Sequence, residues 1–315
     1  MENSGKIIPL HLLSSLFLLF GFYLLGAFIG QFFGLLAVIN LLKVDTEVFS
    51  NPTQAAQFLV DFINNPENYI NGHKALLSLQ WFSALGGFIL PAIAYNKWIE
   101  KGIYSNFRNY RPNWQIFVWC FILVIISNPA MEALSYWNSQ LHLPLAFKDL
   151  EESMLKTQES LDKMTLFFLN MNNPTEFISV TIVVALAAAV GEELFFRGII
   201  QNLFLKYWNK PHLAIWLTAF IFSYIHFQFL GFFPRLFLGA FLGYIYFWYR
   251  TLWVPIVFHF FNNFLIVAAA YLYQLNGVKI DELIETKMPE LWTIPLSLAL
   301  IFFYVQRLYK NRLNE

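Results

Sequence analysis

Two glutamates and an arginine stand together in GEELFFRGII, residues 191–200, at the end of a long apolar run. Ionisable groups inside hydrocarbon are costly and usually face a bundle interior where they serve function. On a helix, Glu193 and Arg197 are four residues apart, about 40° around the axis, whereas Glu192 and Arg197 are about 140° apart. Glu193 is therefore the natural ion-pair partner of Arg197, a pair that offsets part of the cost of burying both charges. Glu192 is left without a partner on its own helix, and an unpaired buried carboxylate suits a general base or acid. Two further apolar segments carry His226, in FSYIHFQF, and His259 with Asn263, in FHFFNNF. His259 and Asn263 are again an i, i+4 pair, so the amide can hold the imidazole or present an oxyanion donor beside it. Phe222 lies one turn before His226 and can pack against that ring. One glutamate and two histidines on a membrane-embedded cavity form equipment for activating a water.

The elements that must position these groups are membrane helices. Of 315 residues, 58% are hydrophobic, 19% aromatic and 13% charged, against roughly 25% charged in a soluble domain. Mean hydropathy is +0.52. Apolar segments long enough to cross a bilayer fall at 9–41, 75–96, 114–137, 177–205, 212–229, 232–249, 252–274 and 291–307, about eight spans by the length rule. The predicted fold is an all-α polytopic transmembrane bundle. The first run is far longer than the roughly 7–15 residues of a signal-peptide core and reads as a retained helix. Between the fifth and sixth spans stands GFFP at 231–234, whose Gly and Pro predict a tight turn. A formal net charge of zero argues against a nucleic-acid partner, which calls for a basic patch. The single Cys120 reads as a small apolar residue facing lipid or a neighbouring helix.

Basic residues flanking the spans set the orientation. Lys97, Lys101, Arg108, Arg111, Lys206, Lys210, Arg250, Arg307, Lys310 and Arg312 all fall on one side of an eight-span arrangement. Both termini are therefore expected in the cytoplasm. The opposite-side segments, 43–74, 138–176 and 275–290, are long and mixed or acidic. Within them, Asn51 and Pro52 mark a helix start, and Leu150, Met154, Leu161 and Thr165 recur at helical spacing. Both stretches are expected to form short amphipathic helices at the membrane surface, with solvated loop helices as the alternative.

Counted from the basic markers, Glu192 lies 14 residues before Lys206, His226 16 after Lys210 and His259 9 after Arg250. At helical rise these are depths of about 21, 24 and 13 Å, in a hydrocarbon core roughly 30 Å thick, so a single site is allowed. Each feature also has a plainer reading. A Glu–Arg pair can simply hold a bundle together, and a lone intramembrane histidine is more often a packing residue than a catalyst. Gly239 and Gly243 in GAFLG read as a close helix crossing. Asn128, Pro129 and Glu132 read as structural, with Pro129 kinking the third span. It is the set that carries weight.

In this order the set closely resembles the CPBP family of intramembrane proteases, also termed the Abi or type II CAAX prenyl endopeptidase family. The pattern is E-E-x-x-x-R, F-x-x-x-H and H-x-x-x-N, here Glu192-Glu193-LFF-Arg197, Phe222-SYI-His226 and His259-FFN-Asn263. The resemblance covers roughly residues 177–270, with N-terminal helices and amphipathic segments at 1–176 and a last helix with a basic tail at 271–315. It implies that Glu192 is the general base, that His226 orients the water, and that His259 and Asn263 bind it and stabilise the oxyanion. Arg197 with Glu193 would hold the architecture. It further implies a membrane-associated protein or peptide as substrate, including lipidated CAAX-type proteins, and no cofactor. One glutamate and two histidines could in principle ligate zinc, but no H-E-x-x-H spacing is present, and a metal-free mechanism is expected. An integral protein of the cell membrane follows. The alternatives are a non-catalytic regulator or scaffold on the same fold and a proton-coupled transporter. Every catalytic position is filled, against the former, and the paired repeats of the latter are not seen.

Overall fold

In a computed structural model, residues 10–99, 113–280 and 287–311 are described. Lys101, Arg108, Arg111 and Arg312, which contribute to the expected orientation, lie outside them. The regular elements of the described residues are all helices, with no strand among them. Six helices are long and apolar enough to cross a membrane: α1 (Leu10–Leu42), α3 (Gly72–Trp98), α4 (Trp114–Ser139), α6 (Pro174–Trp208), Phe229–Tyr249 (its regular part, Phe232–Tyr249, is α8) and α9 (Trp253–Leu275). Two shorter apolar helices, α7 (Pro211–Tyr224) and α10 (Thr293–Asn311), complete the eight expected segments. Between the spans lie α2 (Pro52–Asn64) and α5 (Lys148–Leu169).

Helix α1 meets α3 in antiparallel contact along Gly26, Gly30 and Gly34, spaced four apart and all buried. A Cβ on Gly30 would strike the Phe82 carbonyl, and one on Gly26 the Gly86 carbonyl. These glycines let the two backbones touch, as small residues do in membrane interfaces. The α7–α8 hairpin uses the same device: a Cβ on Gly239 would stand 3.2 Å from Ala219, and one on Gly243 2.9 Å from Ile215 Cγ2. That is the close crossing expected of GAFLG. Helix α10 is laid on α4, where Ser297 Oγ donates to the Ile126 carbonyl at 2.6 Å and Arg307 lies 4.7 Å over the Trp119 ring.

The fifth apolar segment differs from its expected 212–229. Helix α7 stops at Tyr224 after 14 residues, about 21 Å of rise. Phe227 follows with φ 52, a left-handed conformation in which a non-glycine residue ends a helix. The turn thus spans 225–228, ahead of the expected GFFP; a 3-10 turn, Phe229–Gly231, leads into α8, and Pro234 sits in the first turn of α8. Helix α4 runs uninterrupted through Pro129, and Asn128 is tied to Glu132 by a 2.6 Å hydrogen bond. Cys120 is buried against α9, its thiol 3.9 Å from the Val254 carbonyl.

Helix α2 starts as expected, with Asn51 Oδ1 accepting from Thr53 N at 3.0 Å and Pro52 in the first turn. In α5 the covered stripe is not the expected one. Leu150 and Thr165 are exposed, and the inward face runs through Glu151, Met154, Gln158 and Leu161. On that face Glu151 accepts from Leu143 N at 3.3 Å and bonds His142, and Gln158 donates to Asp162 at 2.8 Å.

Candidate active site

Helix α6 is built to present its charges. Two π-helical turns, Thr181–Ala187 and Phe196–Gln201, bracket the α-helical stretch that carries Glu192 and Glu193. Such turns recur at functional sites because they re-aim side chains. The i, i+4 pair forms as the spacing dictates, with Arg197 Nη1 donating to Glu193 Oε1 at 2.6 Å, both side chains fully buried. Arg197 Nη2 donates to the Gly239 carbonyl at 2.8 Å, and its guanidinium lies 4.9 Å over the Phe222 ring. One turn on, Gln201 Nε2 donates to the Gly243 carbonyl at 3.0 Å. Pairing of 197 with 239 and of 201 with 243 fixes α6 and α8 as parallel neighbours in one register. Without a Cβ on either glycine, the α8 backbone comes within reach of these side chains. Gln201 escaped the sequence reading, because a single amide on an apolar helix carries no motif.

His259 arrives from α9, 4% exposed. Its Nδ1 lies 2.9 Å from Glu193 Oε1, and its Nε2 3.8 Å from Glu192 Oε2. The first is a hydrogen bond. The second exceeds one, so Glu192 faces the imidazole without being tied to it. Glu193 therefore serves Arg197 and His259 together. Carboxylate orientation of a histidine fixes which nitrogen is presented, here Nε2 toward Glu192. Glu192 keeps 14% side-chain exposure, while Glu193 has none. The rotational argument that separated the two glutamates thus matches their surroundings.

Asn263 does not hold the His259 ring. Its amide nitrogen donates to the Val184 carbonyl at 3.3 Å, in the first π-helical turn, and its oxygen accepts from Asn262 at 3.2 Å. It ties α9 to α6 one turn from the imidazole.

His226 lies past the end of α7, not within a span. Its Nδ1 is 2.6 Å from the Phe222 carbonyl. A carbonyl only accepts, so Nδ1 carries the proton and Nε2 of the neutral ring is left as acceptor. Phe222 stands between the histidines, with ring centroids 5.0 Å from His226 and 6.1 Å from His259. The structure thus gathers Glu192, Glu193, Arg197, Phe222, His226 and His259, with Asn263 behind.

Arg235 joins them from the first turn of α8. Its Nη2 donates to Gln228 Oε1, and its Nη1 is buried without a hydrogen-bond partner. The available signal was that Arg235 is the sole Asp, Glu, Lys or Arg between Lys210 and Arg250. Zinc needs three or four donors at about 2.0–2.2 Å from one point. Among the described residues no group of three His, Cys, Asp or Glu side chains is placed to hold a metal ion.

Residues 174–265 match the family described as type II CAAX prenyl endopeptidase Rce1-like, the resemblance that the three motifs carry. A curated relative, the uncharacterized protein YpbD of Bacillus subtilis (strain 168), is 27% identical over 110 residues, which is 34% of this chain and 53% of that protein. The chain therefore spans about half the length of the relative it matches. No solved structure matches. Six helices long and apolar enough to cross a membrane make the chain an integral membrane protein.

Proposed function

We propose that this protein is an intramembrane endopeptidase in which Glu192 activates water for attack on a peptide bond of a membrane-associated, CAAX-type substrate. The observation that carries the reading is the pair of unlike carboxylates on either side of His259: Glu193 bonded at 2.9 Å, Glu192 unbonded at 3.8 Å. Such a split gives one acid a fixed structural charge and leaves the other for proton transfer.

In this mechanism a water lies between Glu192 and the histidine Nε2 atoms. Glu192 takes a proton from it as the oxygen adds to the scissile carbonyl carbon. The C=O π electrons move onto the carbonyl oxygen. Collapse of the tetrahedral species re-forms the C=O bond and breaks C–N, and the proton held by Glu192 passes to the departing nitrogen. Glu193, itself held by Arg197, holds His259 Nδ1, so that Nε2 stays turned toward the reaction. His226, its Nδ1–H spent on the Phe222 carbonyl, offers Nε2 as an acceptor that orients the water. The mechanism uses no metal, and the cell membrane is the proposed location. Asn263, assigned to the oxyanion by resemblance, acts here chiefly as a tether of α9.

The test is cleavage of a quenched-fluorescent farnesylated peptide with a CAAX-type end by the full chain in proteoliposomes. Wild type cleaves it, and Glu192→Gln and His226→Ala lose the activity while remaining folded. Full cleavage by Glu192→Gln would sink the mechanism. A glutamate variant that still complements a deletion strain would instead favour a non-catalytic scaffold.

A further inference from the structure

The mechanism needs a donor where negative charge develops, and oxyanion stabilisation is commonly the largest catalytic term. The donors expected from sequence are partly engaged. Asn263 spends an amide N–H on the Val184 carbonyl, and His259 Nδ1 is held by Glu193.

Arg235 keeps a buried donor without a partner at Nη1, as Arg197 does at Nε. It stands on the α8 stripe that also holds Gly239 and Gly243, which are in turn addressed by Arg197 and Gln201. Because α6 and α8 run parallel in that register, the position one turn before Gly239 lies beside the turn of α6 that carries Glu192 and Glu193. The guanidinium folds back over Gly231, where a Cβ would stand 3.1 Å from Nη2. Gln228 anchors Nη2, leaving Nη1 buried and unsatisfied. Among the described residues no ion pair joins Arg235 to a carboxylate. A buried guanidinium N–H with no partner is an expensive feature in a folded protein and is expected where an incoming group will satisfy it. A fixed cation beside the turn that carries the site's base, and not paired with it, suits a developing oxyanion.

We infer that Arg235 is a catalytic residue whose Nη1–H donates to the scissile carbonyl oxygen as it becomes an oxyanion, anchored by Gln228 and given room by Gly231. The inference rests on the peptidase reading above. In the attack, electrons displaced from the C=O bond come to rest on an oxygen bonded to Nη1–H, and they return when the C–N bond breaks. Arg235 keeps its proton throughout, since guanidinium does not exchange it at this cost. Transition-state stabilisation of this kind lowers kcat when removed and leaves ground-state binding alone.

The experiment uses the full chain in proteoliposomes with the farnesylated probe peptide, in free-acid and C-terminally amidated forms. Arg235→Gln is expected to lower kcat by about 10²–10³-fold with KM little changed. Arg235→Lys should recover part of that loss, and added methylguanidinium should restore turnover to Arg235→Ala. A phosphonamidate analogue of the probe, carrying an anionic tetrahedral centre, should bind wild type and lose affinity for Arg235→Gln in parallel with kcat. The inference is overturned if Arg235→Gln keeps wild-type kcat while Glu192→Gln is inactive, a result that leaves the peptidase reading standing. It is equally overturned if Arg235→Gln raises KM for the free-acid probe alone, which would make Arg235 a carboxylate-binding residue. Failure of wild type to cleave either probe counts against the peptidase reading itself, and the inference falls with it.

Discussion

His259 is anchored by Glu193: the imidazole Nδ1 lies 2.9 Å from a carboxylate oxygen that also accepts from Arg197 Nη1 at 2.6 Å. One buried oxygen therefore fixes the rotation of α6, the position of α9 and the nitrogen that His259 presents. The adjacent glutamate shares neither bond, and the two residues are expected to fail differently when changed.

Glu193→Ala should destabilise the protein by roughly 3–5 kcal/mol, because it leaves the buried Arg197 uncompensated. Glu192→Gln should stay within about 1 kcal/mol of wild type and lose cleavage. Thermal unfolding in detergent beside the peptide assay checks both. Equal destabilisation by the two substitutions would contradict the division of labour.

Asn263→Ala should cost about 1 kcal/mol, the worth of its bond to the Val184 carbonyl, and lower activity less than His259→Ala does. Parallel unfolding and turnover measurements decide this. Activity loss as deep as for His259→Ala, with stability unchanged, would restore Asn263 to direct contact with the reacting group.

Gly243→Ala brings a methyl to 2.8 Å from Gln201 Oε1 and 2.9 Å from Ile215 Cγ2, and overpacking of that kind costs about 1–3 kcal/mol. Gly21→Ala meets nothing within 4 Å and should be neutral or slightly stabilising. A chemical-denaturation series on the two variants compares them directly, and an unstable Gly21→Ala would overturn the α1 packing.

Chelation should leave activity intact. After treatment with phenanthroline and removal of the chelator, turnover of the farnesylated probe should equal that of untreated protein. A loss reversed specifically by zinc would replace the metal-free mechanism with a zinc-dependent one.

The sequence alone determined the solvent and most of the helices, because a bilayer demands unbroken apolar runs that satisfy their own backbone. It also determined the Glu193–Arg197 pair and the isolation of Glu192, since both follow from 100° of helical rotation per residue within one segment. What the tertiary structure decided depends on other helices. Helix α7 ends at Tyr224 and leaves His226 in a turn, where its ring bonds the Phe222 carbonyl, a conformation that hydropathy does not register. Asn263 turns to Val184 because α9 packs on the π-helical turn at 181–187, so an i, i+4 spacing that allowed a bond to His259 yielded one to α6. The Gly26–Gly30–Gly34 stripe acquires meaning only when Phe82 and Gly86 are laid against it. Arg235 joins the site through the parallel register of α6 and α8, set by two glycine carbonyls 42 residues away from their donors. Local rotation is written in one segment of chain, whereas the partners of a buried polar group are chosen by whatever packs against it.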